Sequence, residues 1–455
     1  MSANPRRVPR QLALAAVLSL LFGVDHLANA ALLVVTDCGD GSNSGTLRNT
    51  LAAATNGSTV QIPLACSCIT LSQGHISIPS TITNLYITGA GATATTIDAG
   101  ADAAVYDAAF IIAGKGRVRF TGMTITGATY VGSNPTGGCI YSQGSVLLVD
   151  SVVTGCILEP PSNAGRNSKG AGIYAMGDVT LVHSTVSNNI AVAADNQTTY
   201  GGGVYAKNNV ILNYSTIDSN AAGMGSGGKG SHGGGIFAGG GGDVFIGNST
   251  ISNNYAIVDA ALQAGTYGGP TGFTTTIQSS TVSGNTAGGI QTIGTYGITH
   301  VYNSTIAFNR ANSSSTTSPV GLYSRQSIAM KSSIFANNIA KLGANDDVFS
   351  ATAASPMTGS NNLIVATSNS GTPAGTLSAC PLLGHLSNNG GPTQTIPLLQ
   401  GSPALNVGIA DGQVADQRGA GFARSVNGAD IGAFERQTNT VDDAIFFSQF
   451  EGRCD

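Results

Sequence analysis

The chain has 455 residues, of which 9% are charged, 63 are Gly, none is Trp and 42% are hydrophobic, with a formal net charge of −4. This mixture excludes intrinsic disorder, which needs low hydrophobicity with high net charge, and offers no basic surface to a nucleic acid or an anionic membrane. It suits a rod whose strands stack on one another and leave little surface that must carry charge.

At the N-terminus, Arg6, Arg7 and Arg10 precede an apolar run from Leu12 to Val24 and the small-x-small sequence Ala28-Asn-Ala30. Residues 1–30 therefore read as a secretory signal peptide cleaved after Ala30, since the apolar run is short for a membrane anchor. Removing Arg6, Arg7, Arg10 and Asp25 takes 19 basic and 23 acidic residues to 16 and 22, a net charge of about −6. The expected location is secreted or on the outer cell surface, where disulfides are permitted. All seven cysteines lie beyond residue 30: Cys38, Cys66, Cys68, Cys139, Cys156, Cys380 and Cys454. Cys139 and Cys156 share one repeat and form the favoured pair, with Cys38 to Cys66 or Cys68 next; an odd count leaves at least one thiol over.

Residues 31–75 read as a cap on the open end of a solenoid, with a strand over 32–36 and a short helix over 46–55 that sets Leu47 and Leu51 on one face. Repeats follow over 76–355. A phrase recurs as Ser184-Thr-Val-Ser-Asn-Asn189, Ser215-Thr-Ile-Asp-Ser-Asn220, Ser249-Thr-Ile-Ser-Asn-Asn254, Ser280-Thr-Val-Ser-Gly-Asn285, Ser304-Thr-Ile-Ala-Phe-Asn309 and Ser332-Ser-Ile-Phe-Ala-Asn337, after a degenerate Ser151-Val-Val-Thr-Gly-Cys156. The steps are 33, 31, 34, 31, 24 and 28 residues, with the length variation in Gly/Ser/Asn-rich stretches, as for repeats whose insertions fall in loops. Three β-branched runs per repeat predict an all-β, right-handed, single-stranded parallel β-helix with three faces.

Stacking at about 4.8 Å per coil turns each recurring position into a column. Asn189, Asn220, Asn254, Asn285, Asn309 and Asn337 are expected to form an amide ladder at a sharp corner. Val186, Ile217, Ile251, Val282, Ile306 and Ile334 are expected to fill the interior. Tyr141, Tyr174, Tyr205, Phe237 and Tyr323 follow inward Ile/Val residues and so face outward; a stripe of such rings can stack on sugar faces, or the rings can stack on one another. One residue before the Ser-Thr phrase the column reads Asp150, His183, Tyr214, Asn248, Ser279, Asn303 and Lys331. Asp150, His183 and Tyr214 would be consecutive rungs capable of proton transfer, or simply rungs of another polar turn ladder. Gly223-Met-Gly-Ser-Gly-Gly-Lys229-Gly230 approaches a phosphate-binding loop, but Gly230 replaces the Ser/Thr and no helix is predicted after it. No role is assigned to His232, and no Cys/His spacing resembles a zinc site.

Three segments resemble parts of bacterial exported proteins of the pectin-lyase-like parallel β-helix superfamily. The start, Val34-Val-Thr-Asp through Gly45-Thr-Leu-Arg48 to Thr59-Val-Gln-Ile-Pro63, is similar to a common leader. The Ser-Thr-Ile and Gly-Gly-Gly-Ile-Tyr phrases are generic to the superfamily. Cys380-Pro-Leu-Leu-Gly, Asn389-Gly-Gly-Pro-Thr-Gln-Thr395, Leu398-Leu-Gln-Gly-Ser-Pro-Ala404, Asp416-Gln-Arg-Gly419 and Asp430-Ile-Gly-Ala-Phe-Glu435 occur in the order of a choice-of-anchor Q domain, placed at 356–436, with a short tail over 437–455 that includes Cys454. The resemblance implies a cell-surface or secreted protein whose molecular activity is generally unassigned, and the favoured reading of the chain is a structural or adhesive rod. Asp416, Arg418, Arg424, Asp430 and Glu435 are expected to form ion pairs fixing a cap on the last coil.

The superfamily also contains polysaccharide lyases and hydrolases, so the alternative is a polysaccharide-active enzyme. A lyase needs a base aimed at the sugar C5 proton and carboxylates that often hold Ca²⁺, and a hydrolase needs two carboxylates across the glycosidic bond. The repeats are poor in acids and no column pairs them, so an enzyme is the less favoured reading. The expectation is carbohydrate or a cell surface as partner, no nucleic acid, no metal and no cofactor, with Ca²⁺ belonging only to the lyase alternative.

Overall fold

The structure, a computed structural model, describes residues 31–100, 108–132, 136–161, 167–193, 197–224, 230–312, 319–341, 346–351, 357–369 and 371–437. The expected signal peptide, most of the tail with Cys454, and Lys229 lie outside the described residues.

The chain winds into a parallel β-helix. One coil shows the plan: Ile173–Ala175, Val179–Val182, Thr185–Ser187 and Ile190–Val192 are successive short strands. Each pairs in parallel with its counterpart a coil later, Val204–Ala206, Val210–Asn213, Thr216–Asp218 and Ala221–Met224. Following the order within this coil, we label the sheets C, A, B and D; among the described residues they hold 10, 12, 11 and 8 strands, and a further sheet of three strands precedes sheet C. Three long faces were expected; the short sheet D after the Asn corner makes a fourth.

Strand alternation puts one aliphatic column at the centre. In sheet B it runs Ile69, Ile97, Ile125, Val153, Val186, Ile217, Ile251, Val282, Ile306, Phe335 and Ile364, paired rung to rung, and all are buried. The last repeat corrects the sequence alignment. Thr305 pairs with Ile334 and Ile306 with Phe335, so the phrase begins at Ser333, a step of 29 residues from Ser304. Phe335 fills the interior in place of Ile334, which faces outward against the C-terminal segment.

Two of the corners in a coil are turned, on most coils, by a non-glycine residue in the left-handed region. Between sheets A and B these are Asp150, His183, Tyr214, Asn248, Ser279, Asn303, Ser332 and Asn361, with φ from 46° to 55°. Lys331 is therefore not in this column; it is the last residue of its sheet A strand. Before sheet D the corner residues include Asn188, Ser219, Asn253, Phe308 and Asn337, with φ from 54° to 60°. Asn337 thus belongs to the corner itself, and the ladder rung is Asn338, which is fully buried.

The ladder is continuous. Each Asn Oδ1 accepts from both the backbone N–H and the side-chain amide of the preceding rung, at 3.1 and 2.9 Å for Asn189 to Asn220 and 2.9 and 3.0 Å for Asn220 to Asn254. The same pattern joins Asn254, Asn285, Asn309 and Asn338. Asp347 ends it, its Oδ1 accepting from Asn338 N and Nδ2 at 2.9 and 2.8 Å. A parallel ladder of Ser hydroxyls runs beside it: the N–H of Ser184, Ser215, Ser249, Ser280 and Ser304 each donates to the next rung's Oγ at 3.0 to 3.3 Å. Corners buried inside a coil leave backbone groups that no sheet pairs, and these two ladders satisfy them.

At the N-terminal end the helix Leu47–Ala52 buries Leu47 and Leu51 and starts at Thr46, whose hydroxyl accepts from Asn49 N at 3.3 Å. Arg48 pairs with the buried Asp40 at 2.8 Å and donates to the carbonyls of Gly74 and His75. Cys38 is bonded to Cys66, Cys139 to Cys156, and Cys68 is free. Cys380 is also disulfide-bonded.

Residues 371–437 do more than close the last coil. They run back along the flank over the outward face of sheet B, where Ala307, Ile334, Ala336 and Leu363 meet Leu383, Ile396, Leu398, Ala404 and Ile431.

Candidate functional site

The corner between sheets A and B divides into two parts. From Asn248 onward it is the seam that holds the C-terminal segment: Asn248 Nδ2 donates to Asp416 O at 3.2 Å, Asn303 Nδ2 to Ala410 O at 3.1 Å, and Asn361 Nδ2 to Val407 O at 2.8 Å. In return, Arg424 Nη2 donates to Asn303 Oδ1 at 2.9 Å. Lys331, displaced from the column, reaches Asp411 at 3.0 Å. Gln417 is plugged between coils, donating to Thr250 Oγ1 at 2.9 Å and accepting from Thr281 Oγ1 at 2.6 Å.

Asp150, His183 and Tyr214 form the other part, on consecutive coils as the column places them. His183 Nδ1 lies 3.8 Å from Asp150 Oδ1, and its ring stacks on Tyr214 with centroids 5.3 Å apart. The Asp150 and His183 side chains are 62% and 48% exposed. Tyr214 is half-buried against Gly419, and burial together with the nearby Asp416 carboxylate raises its phenol pKa. The cluster can exchange a proton with a ligand, but it stands on open surface.

The outward rings of sheet C stack on each other. Centroid separations are 5.3 Å for Tyr141–Tyr174, 4.9 Å for Tyr174–Tyr205 and 5.4 Å for Tyr205–Phe237, with interplanar angles of 6°, 15° and 13°. Tyr174 and Phe237 are only 8% and 3% exposed. Faces occupied in this way are closed to sugars; of the two arrangements the sequence allows for the stripe, the rings take the self-stacked one. Burial, with Tyr205 and Tyr141 adding to it, pushes the Tyr174 phenol up to about 12. The stripe breaks at Gln263 and Gly294, which occupy the ring position on the next two coils, and resumes with Tyr323 and Phe349 at 6.1 Å.

Sequence reasoning missed a second column beside this stripe. Lys169, Tyr200 and His232 sit at equivalent positions. Tyr200 stacks on His232 at 5.7 Å and packs edge-on against Phe237 at 4.8 Å, while Lys169 Nζ lies 5.4 Å from the Tyr205 ring centre. Burial holds the pKa of both Lys169 and His232 below the usual range; the nearby Gln263 amide, out of hydrogen-bonding geometry, offsets part of the fall for His232. The signal was present in the sequence: each residue directly precedes a Gly-x-Gly, at Gly170, Gly201 and Gly233. The stretch that approaches a phosphate-binding loop is not one, because Gly230 opens the strand Gly230–His232 and no helix follows.

In the C-terminal segment the charges pair as expected. Arg418 binds Asp416 through Nη2 at 2.6 Å and Nε at 3.0 Å, and its guanidinium lies 4.0 and 3.9 Å from the rings of Phe422 and Phe434. Arg424, 1% exposed, lies 4.0 Å from Glu435. The Glu435 oxygens accept from Val426 N and Asp430 N at 2.9 and 2.8 Å, and burial pushes its carboxyl up to about 7. These groups hold the segment together. No three His, Cys, Asp or Glu side chains gather as a metal site among the described residues.

No family model matches the chain, and no curated protein matches it. Among solved structures, the chain is similar to the crystal structure of pectate lyase Pel9A, with 14% identity over 90% of this chain and 97% of that one and a TM-score of 0.47. The fold assignment rests on the strand pairing itself, and the site residues are read from this chain alone. No helix among the described residues is long and apolar enough to cross a membrane.

Proposed function

We propose that this is an exported β-helical rod with a structural or adhesive role at a surface. The observation that carries this reading is where the recurring residues point. The Asn and Ser columns bond within the coils, the rings of sheet C stack on one another, and the corner from Asn248 onward holds the C-terminal segment. A side chain committed to the fold in this way is not free to turn over a substrate. Carbohydrate contact, on this reading, is made by ring edges and hydroxyls of the half-buried Tyr141 and Tyr205 along the flank. The intact protein is expected to be retained on an array of surface glycans, with retention unchanged in His183→Ala and at least tenfold weaker in Tyr141→Ala/Tyr205→Ala. Retention by neither protein would remove carbohydrate as the partner, and loss in His183→Ala alone would move the site to the corner.

One observation favours a second reading as a polysaccharide-active enzyme. Asp150, His183 and Tyr214 are brought together at 3.8 and 5.3 Å on three successive coils, and Asp150 and His183 remain open to solvent. In that role His183 would take the proton, with Asp150 orienting the imidazole.

A further inference from the structure

The corner that leads into sheet C is built from glycine on four coils: Gly137, Gly170, Gly201 and Gly233 have φ of 69°, 64°, 70° and 63°. On the next coil the same position is Asp259, with φ 57°, an equivalence fixed by the pairing of Ile236 with Leu262 three residues on. Asp is among the few non-glycine residues that take this conformation, and here its side chain directs a carboxylate into the wall of the rod. Asp259 is 0% exposed, and neither oxygen has a hydrogen-bond partner. The following coil leaves room for it: a Cβ on Gly294 would lie 2.1 Å from Asp259 Oδ1, and Gly294 is one of the two positions where the ring stripe is broken.

The groups facing Asp259 supply no counter-charge. His232 lies on the preceding coil, beside the bridge from His232 to Val258. Gln263 is on its own coil, with its Oε1 also unpartnered. From the following coil come the Gln291 amide and the Tyr296 phenol, and beyond them Tyr323 and Arg325 act on Tyr296. An ionised carboxylate there would be buried without donors or cation, which is far costlier than burying the neutral acid. Burial accordingly pushes the Asp259 carboxyl up to about 8; the Gln291 amide, out of hydrogen-bonding geometry, offsets part of the rise. A carboxylate buried without partners, at a position where the four preceding coils carry no side chain at all, points to a switching element rather than to a fold requirement.

We propose that Asp259 is a proton latch: the sheet C wall closes over it only as the neutral acid, and ionisation opens the rod at the break in the ring stripe, between Phe237 and Tyr323. Because the folded-state value lies above the ordinary carboxylate range, the stability tied to the proton is full in acid and is lost as the pH rises through about 8.

Hydrogen–deuterium exchange of the full-length protein tests this, with peptides covering residues 286–298 compared at each pH with the same peptides of Asp259→Asn, so that base catalysis of exchange cancels. The ratio of wild-type to variant exchange is expected to be near one at about pH 4, where the open state also keeps the proton, and to rise at least tenfold by about pH 8. A ratio independent of pH would overturn the proposal. Should Asp259→Asn not fold, Asp259→Gly, carrying the residue of the four preceding coils, serves the same comparison. Difference infrared spectra give a second reading: a protonated carboxyl band assigned to Asp259 at about pH 6 that is lost at higher pH is expected, and a carboxylate band already present at that lower pH would contradict the latch.

Discussion

Asn254→Ala is expected to destabilise the rod by about 3–6 kcal/mol, since each buried polar group left without its partner costs roughly 1–3 kcal/mol. Asn254 Oδ1 accepts from Asn220 N at 2.9 Å and Asn220 Nδ2 at 3.0 Å, and its own amide donates to Ile217 O at 3.0 Å and Asn285 Oδ1 at 2.9 Å. Alanine removes all four bonds at a fully buried corner, where no solvent replaces them. Asn337→Gly is the matched control. Asn337 has φ 57° and lies outside the ladder, so glycine suits its backbone, and the change is expected to stay within about 0.5 kcal/mol. Equilibrium urea denaturation of the two variants separates a ladder rung from its neighbour. Equal effects would show that the ladder does not hold the corner.

Arg418→Ala is expected to release the C-terminal segment, at a cost of about 3–5 kcal/mol. Asp416 is fully buried and takes four of its bonds from Arg418: from Nη2 at 2.6 Å, from Nε at 3.0 and 3.2 Å and from the backbone N at 2.8 Å. The three side-chain bonds vanish in the variant and leave a buried charge held by the backbone N–H groups of residue 418 and Glu435 alone, while Phe422 and Phe434 lose the guanidinium that packs on both rings. Arg418→Lys is expected to recover little, because an ammonium cannot match the bidentate geometry or the flat stacking. Limited proteolysis reads the result as cleavage within 371–437 with the coils before Asn248 intact. Release also uncovers Ile334 and Leu363, now packed under the segment, so the variant is expected to self-associate on gel filtration. A variant as resistant as the wild type would show that the segment is held chiefly by its apolar contacts.

The winding of the chain was legible in the sequence because corners repeat with the same residue types, and stacking converts a recurring Asn or Val into a column. The slip in the last repeat has a local cause. Ser332 and Ser333 are adjacent, as are Asn337 and Asn338, so the phrase fits in two registers, and only the bulk of Phe335 in the core and the reach of Asn338 to Asp347 select one. The seam with the C-terminal segment was not legible, since it joins residues such as Asn248 and Asp416, 168 positions apart with no periodic relation. The outward column of rings was legible, but whether their faces are open depends on ring tilt, which the sequence does not encode. Asp259 escaped notice because its burial is set by Gly294 on another coil, whose significance is the absence of a side chain.

The most direct test of the account is to incubate the purified full-length protein, with Ca²⁺ supplied, against a broad panel of acidic and neutral polysaccharides, and to follow unsaturated uronate absorbance and new reducing ends. A structural or adhesive rod predicts neither signal from wild type or from His183→Ala. Product formed by the wild type and lost in His183→Ala would contradict it and establish Asp150, His183 and Tyr214 as an active site.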